Sequence, residues 1–337
     1  MTFSRPVVLL LSFLLLVSCS KEDNKRHSFG EALGTTYSIQ YYSEDMIPLD
    51  AALDSIFERI NQSMSTYRDS SDISRLNRGD SLVKIDTLFR NVFLLSKQVW
   101  KDSNRYFDPT VGGLVNQYGF GPEDGAKEID SVTIDSLMQY VGFDKLELKG
   151  DRIIKESPEI YLDFNAIAKG YAIDLIGHYL DSKGSEDYLI ELGGELLAKG
   201  ENRGKGSSWT VGIDDPMQQE GSRELTAAIE LRDRAMATSG NYRKYRTDPE
   251  TGALYVHTVN PLTGFAQKGD LLSVTILADN CALADAYATA FMAMGYDLSK
   301  IVLSQKEELD AFLIYSTLGG EMKEYATPGF EVLMKDL

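Results

Sequence analysis

Between Asp163 and Asp174 the chain reads Asp-Phe-Asn-Ala-Ile-Ala-Lys-Gly-Tyr-Ala-Ile-Asp, a carboxylate followed by small residues and one lysine. Ile160-Tyr161-Leu162 before it has the composition of a short buried strand, and Ile167, Ile173, Ile176 and Leu180 recur after it at roughly helical spacing. A strand that runs into a helix start presents N–H groups and the positive end of the helix dipole, which together attract phosphate. Ala166, Ala168 and Gly170 let a ligand approach the backbone, and Lys169 adds a positive charge. Ordinary helix packing, with Asp163 or Asn165 as the N-cap, fits the same residues.

A second segment, Ala284-Asp285-Ala286-Tyr287-Ala288-Thr289, lies in a helix-like stretch from about Cys281 to Met294 that Gly295 can cap. Asp285 and Thr289 are four apart and share a face, where a carboxylate and a hydroxyl can ligate a hard cation such as Mg2+. A solvated helix face can carry the same pair. The alanines at 282, 284, 286, 288 and 290 nevertheless make a narrow helix, and a carboxylate among small apolar residues requires a partner. His257 is the third chemical candidate: its imidazole can take a proton from a hydroxyl, or can hold the turn that follows through a backbone hydrogen bond.

The elements that must position these residues alternate between two periods. Leu49, Leu53, Ile56, Phe57, Ile60 and Met64 fall at helical spacing, as do Leu88, Val92, Leu95 and Val99. Strand-like runs occur at Thr36 to Tyr41, Tyr188 to Leu192, Trp209 to Ile213, Leu225 to Leu231, Val256 to Val259, Leu271 to Leu277 and Ala311 to Tyr315. Several follow one another without room for a crossover helix, which predicts an α+β fold with a largely antiparallel sheet, as one large domain or two closely packed lobes. No Gly-x-Gly-x-x-Gly follows a first strand and no Walker lysine loop occurs, so the two commonest nucleotide folds have no support.

Arg5 precedes an apolar stretch that ends in Leu16-Val17-Ser18-Cys19, too short to span a membrane and shaped as a secretory signal. Its end resembles the bacterial lipobox, which predicts cleavage of residues 1–18 and acylation (palmitate) of Cys19. Residues 19–28 are then a polar tether, residues 29–337 form the folded domain, and the protein works on a cell membrane, facing the periplasm or exterior. The formal net charge of −17 makes nucleic acid an unlikely partner. After acylation only Cys281 is left, so neither an internal disulfide nor a cysteine zinc site is available.

Further polar clusters are each compatible with turn chemistry: Gly34-Thr35-Thr36-Tyr37, Met64-Ser65-Thr66-Tyr67, Ser71 through Asn77, Phe107-Asp108-Pro109-Thr110-Val111-Gly112, Leu192-Gly193-Gly194-Glu195, Ala237 through Tyr242, and His257 through Gly264. Taken together and in this order, they resemble the ApbE family of FAD:protein FMN transferases, from Leu33 to Gly295. The resemblance implies an enzyme that uses Mg2+ and FAD, moves the FMN moiety onto a Thr or Ser hydroxyl of a target protein, and releases AMP.

By that resemblance Asp285 and Thr289 ligate Mg2+ together with the main-chain carbonyl of Ala166, and Asp163 and Lys169 bind flavin beside the metal. Leu33, Tyr67, Tyr106, Phe107 and Asp108 line the pocket, and Val259 joins them as a cofactor-binding position. His257 and Asp285 are the catalytic candidates. Two positions depart from the family pattern: Leu33 stands where methionine is usual, and Ala288 where some relatives carry an acid. The implied acceptors are flavin-bearing subunits of membrane redox complexes. FAD hydrolysis to FMN and AMP, a non-catalytic flavin-binding lipoprotein and an anchored solute-binding protein are the competing readings. A role for the Ala166 carbonyl requires residues 163–168 to be irregular, with the helix starting near Lys169.

Overall fold

The computed structural model describes residues 24–122, 129–218, 224–240, 245–247, 254–266 and 269–335. In chain order the strands are β1 (Lys25–Ala32), β2 (Thr35–Tyr42), β3 (Leu146–Lys149), β4 (Arg152–Lys155), β5 (Tyr188–Leu192), β6 (Glu195–Lys199), β7 (Trp209–Asp214) and β8 (Leu225–Leu231). They continue with β9 (Arg234–Gly240), β10 (Tyr245–Thr247), β11 (Leu254–Val256), β12 (Leu271–Ala278), β13 (Asp310–Ser316), β14 (Met322–Ala326) and β15 (Met334–Lys335). The helices are α1 (Leu49–Met64), α2 (Asp72–Asn77), α3 (Thr87–Asp102), α4 (Gly112–Gln117), α5 (Ser131–Met138), α6 (Ala168–Ser182), α7 (Cys281–Met294), α8 (Tyr296–Leu303) and α9 (Pro328–Glu331).

The main sheet has the order β1-β2-β5-β6-β9-β12-β13-β14, and every pairing in it is antiparallel. Strand β12 is buried along its whole length, which explains its near-continuous apolar run: each face of this strand meets a different layer. Val274 and Ile276 join the core shared with α1, α3, α6 and α7, whereas Leu272 and Leu277 join Trp209, Ile213 and Ile229 of the small sheet β15-β8-β7. The fold is thus a helical layer, a large sheet and a small sheet. A satellite cluster of Leu114, Tyr118, Ile134, Tyr255, Val259 and Ala266 stands apart from both cores.

Helices α1 and α3 keep the apolar stripes read from the sequence, with Leu53, Phe57 and Ile60 buried on the first and Leu88, Val92 and Val99 on the second. Four expectations change. The tether expected over residues 19–28 overlaps the fold, because Lys25 to Ser28 belong to β1 and pair with β2. Its alternating polar pattern suits an edge strand, and His27 Nε2 lies 2.9 Å from Ser38 Oγ. Ile160 to Leu162 makes only an isolated bridge, Tyr161 to Val111, because Asn77 bonds both sides of Leu162 and takes the place of a strand partner. Ala237 to Gly240 is strand rather than turn, and the run expected over Val256 to Val259 ends at Val256. Cys19, Asn241 and Tyr242 lie outside the described residues.

Candidate active site

Helix α6 begins at Ala168 after a turn over 165–167, so the expected irregular segment is present and ends one residue before the anticipated start. Neither Asp163 nor Asn165 caps it: the N-cap is Ile167 without a side-chain bond, and Asp163 instead accepts the Asn165 N–H at 2.7 Å and Asn165 Nδ2 at 3.1 Å. In a regular helix the Gly170 N–H would donate to the Ala166 carbonyl. Here it donates to Asp285 Oδ2 at 3.2 Å, and among the described residues no backbone N–H bonds the Ala166 oxygen.

The exchange of partners depends on how closely two helices approach. A Cβ on Gly170 would sit 2.3 Å from the Cys281 carbonyl oxygen and 2.8 Å from the Ala282 nitrogen, so glycine is required there. Asp174, one turn farther along α6, accepts the N–H groups of Cys281 at 2.7 Å and Ala282 at 2.9 Å, and Asn280 caps Leu283. The start of α7 is therefore held by a carboxylate from its neighbour as well as by its own cap. The sequence reading gave Asp174 no role; a carboxylate within an apolar helix stripe was the available signal.

Asp285 is 3% exposed. Burial pushes its carboxyl up to about 7, opposed by the Lys169 charge and reinforced by Glu195. Lys169 Nζ is 2.5 Å from Glu195 Oε1, and Glu195 is itself buried at the start of β6. Glu195 belongs to a motif visible in the sequence, but its pairing with a lysine on α6 was not foreseen. Thr289, one turn after Asp285, is partly buried on the same face.

Two hairpin turns border this region. Leu33 and Gly34 close β1 to β2 with φ of 51° and 76°, a left-handed pair that suits a tight hairpin but strains leucine. Gly193 and Gly194 close β5 to β6, and the Gly193 N–H donates to the Thr36 carbonyl, so the two turns lie side by side. Leu33 is thereby brought to the same sheet end as Glu195. Tyr67 is exposed; desolvation and then the Asp163 charge hold its phenol above the ordinary value, which places the two in one field. Burial likewise raises the Asp163 carboxyl against its bonds from Asn165.

Other anticipated residues have different positions. Asp108 is saturated: Oδ1 accepts Thr110 N–H at 2.9 Å and Thr110 Oγ1 at 2.6 Å, while Oδ2 accepts Trp100 Nε1 at 3.0 Å and Phe143 N–H at 2.9 Å. It shapes the loop whose Pro109 carbonyl accepts the Asp163 N–H at 2.8 Å. Phe107 is in the main core, with Tyr106 packed partly against it, and Val259 is in the satellite cluster.

His257 is partly buried between Val256 and Thr258, two residues that line a cavity of about 330 Å³ with Asn260, Asp270, Met292 and Tyr296. Asp285, Thr289 and Ala293 form one stripe along α7, and Ala293 also lines the cavity. The stripe runs about 12 Å from the carboxylate to the cavity, at 1.5 Å per residue. Among the described residues no three His, Cys, Asp or Glu side chains converge as a metal cluster. The Asp285 carboxylate, the Thr289 hydroxyl and the Ala166 carbonyl are all oxygen donors, the type that Mg2+ takes together with waters.

The chain as a whole is similar to known proteins. The ApbE family model matches residues 33–313. A FAD:protein FMN transferase of Vibrio cholerae is 34% identical over 332 residues, covering 96% of this chain and 97% of the relative, and one of Haemophilus influenzae is 31% identical over 327 residues, covering 93% of each. The solved flavin transferase ApbE of Vibrio cholerae superimposes with a TM-score of 0.81 at 33% identity, over 92% of this chain and 99% of the other. The apo flavinyl transferase ApbE of Pseudomonas stutzeri gives 0.81 at 29% identity, over 92% and 97%. On matches of this extent, the chain belongs to the ApbE family.

Proposed function

We infer that the protein transfers the FMN moiety of FAD to a Thr or Ser hydroxyl of a target protein and releases AMP, with Mg2+ held by Asp285, Thr289 and the Ala166 carbonyl. One observation carries the reading: the Gly170 N–H is taken by Asp285, which releases the Ala166 carbonyl beside the carboxylate that would share its cation. A cation held by these residues would neutralise charge on the pyrophosphate. Lys169 contributes a second positive charge at the start of α6, where the helix dipole favours the same anion.

The acceptor oxygen forms a bond to the FMN phosphorus while the bond from that phosphorus to the bridging oxygen breaks, and its electron pair leaves with AMP. His257 accepts the proton that the hydroxyl loses. Leu33 and Tyr67 offer apolar and aromatic surface to the flavin ring near Asp163. Asp108 holds the Pro109 loop that fixes Asp163. Acylation of Cys19 would keep the enzyme on the membrane, within reach of redox subunits with an exposed Thr or Ser.

The test is incubation with FAD, Mg2+ and a candidate acceptor, reading AMP and the flavin fluorescence retained on the denatured acceptor. Both products are expected. AMP without retained flavin would replace the transferase reading with a pyrophosphatase, and FAD binding that survives chelation without AMP would identify a non-catalytic flavin carrier.

A further inference from the structure

Glu195 is a buried acid with an oxygen that no donor among the described residues satisfies. Its side chain is 5% exposed, Oε1 meets Lys169 Nζ at 2.5 Å, and Oε2 is buried with no hydrogen-bond partner. A buried carboxylate oxygen left unpaired is costly and points to a ligand that completes it. Its placement follows from the register of β6 along α6: Glu195 meets Lys169, Leu197 packs where a Cβ on Gly177 would fall, and Lys199 meets Asp181 at 2.8 Å. Alternate residues of one strand thus climb one helix, and the first rung lies at the helix start, where the next residue, Gly170, donates to Asp285.

Charge selects the kind of ligand. Asp285 and Lys169 together sum to zero, an environment with no net attraction for a divalent cation. Glu195 makes the group net negative. We propose that Glu195 is the second carboxylate of the cation site, its Oε2 directed to the cation or to a water bound on it. The proposal rests on the cation reading above and adds to it a residue from the sheet, so that the site spans α6, α7 and β6.

Direct titration of the purified protein with Mn2+ in the absence of flavin, followed by calorimetry or by the EPR signal of free Mn2+, tests it. Glu195→Gln is expected to weaken binding roughly ten-fold, equivalent to about 1.4 kcal/mol, and Glu195→Asp, which keeps the charge, to recover most of it. Lys169→Met, which leaves Glu195 in place, is expected to tighten Mn2+ binding, and this result does not depend on how Glu195→Gln folds. Glu195→Gln with wild-type affinity and an intact circular dichroism spectrum, while Asp285→Asn loses binding, would overturn the proposal and leave the cation reading standing. Absence of Mn2+ binding by the unaltered protein would overturn both.

Discussion

Asp108, in the loop before α4, and Asp285, at the junction of α6 with α7, are both buried carboxylates, at 5% and 3% exposure. On Asp108 four protein donors occupy both oxygens; on Asp285, among the described residues, one amide donates to one oxygen. Burial raises both carboxyls above the usual range, but at Asp108 the main opposition comes from hydrogen bonds, and at Asp285 from a lysine charge that a ligand can share. Saturation therefore separates the two roles. An acid whose acceptor sites are filled by the protein belongs to the scaffold, and one with open sites is available to a cation.

The largest expected effect breaks the comparison on the catalytic side. Asp285→Ala should lower AMP release in Mg2+ by about 10²- to 10³-fold, in the range of lost electrostatic stabilisers, as measured by steady-state release of AMP. Unchanged release would place the cation elsewhere. On the scaffold side, Asp108→Ala should leave buried donors of Trp100, Thr110 and Phe143 unsatisfied and destabilise the fold by about 3 kcal/mol in urea titration. The protein that remains folded should bind FAD with little change, whereas a large loss of affinity would make Asp108 a ligand after all.

Gly170→Ala sharpens the comparison from the packing side. The new methyl would meet the Cys281 carbonyl, which is backbone and cannot rotate away, so a loss of about 2 kcal/mol is expected with weaker cation binding. The smallest effect is a pH dependence. Burial raises Asp174 to about 6, so between its ordinary value and 6 the folded state binds more protons than the unfolded state. Its contribution to stability is therefore favourable at low pH and is lost as pH rises through about 6. Asp174→Asn should flatten the urea-derived stability profile between about pH 4 and 6 relative to the parent, and an identical slope in both proteins would remove this assignment.

Much of the fold was legible where one residue pattern met one environment. Helix α7 runs from Cys281 to Met294 as read, because its cap asparagine and terminal glycine mark its ends locally. Strand β9 was hidden. Its Ala235 and Ala237 lack the usual bulk of a strand, and they lie in the core shared with α7, which packs on this strand. Strand β1 was hidden for another reason: an exposed edge of alternating polar residues is defined by its partner β2, not by apolar content. The site divides in the same way. The proposal for Asp285, Thr289 and Ala166 came from their motifs and the family resemblance, whereas Glu195 and Asp174 meet partners on other elements that only the fold brings to them.

By itself the sequence determined the motifs that carry the family, the donor types near the proposed cation, and the start irregularity of α6. Tertiary structure decided which acceptor receives the Gly170 amide, since Asp285 lies 115 residues away and reaches it only where α6 and α7 nearly touch. It also decided that protein donors occupy both oxygens of Asp108 and that Glu195 on the sheet meets Lys169 on α6. The physical reason is common to all three: hydrogen-bond saturation and burial are properties of a packed environment, and a carboxylate's neighbours across the fold are not written beside it in the chain.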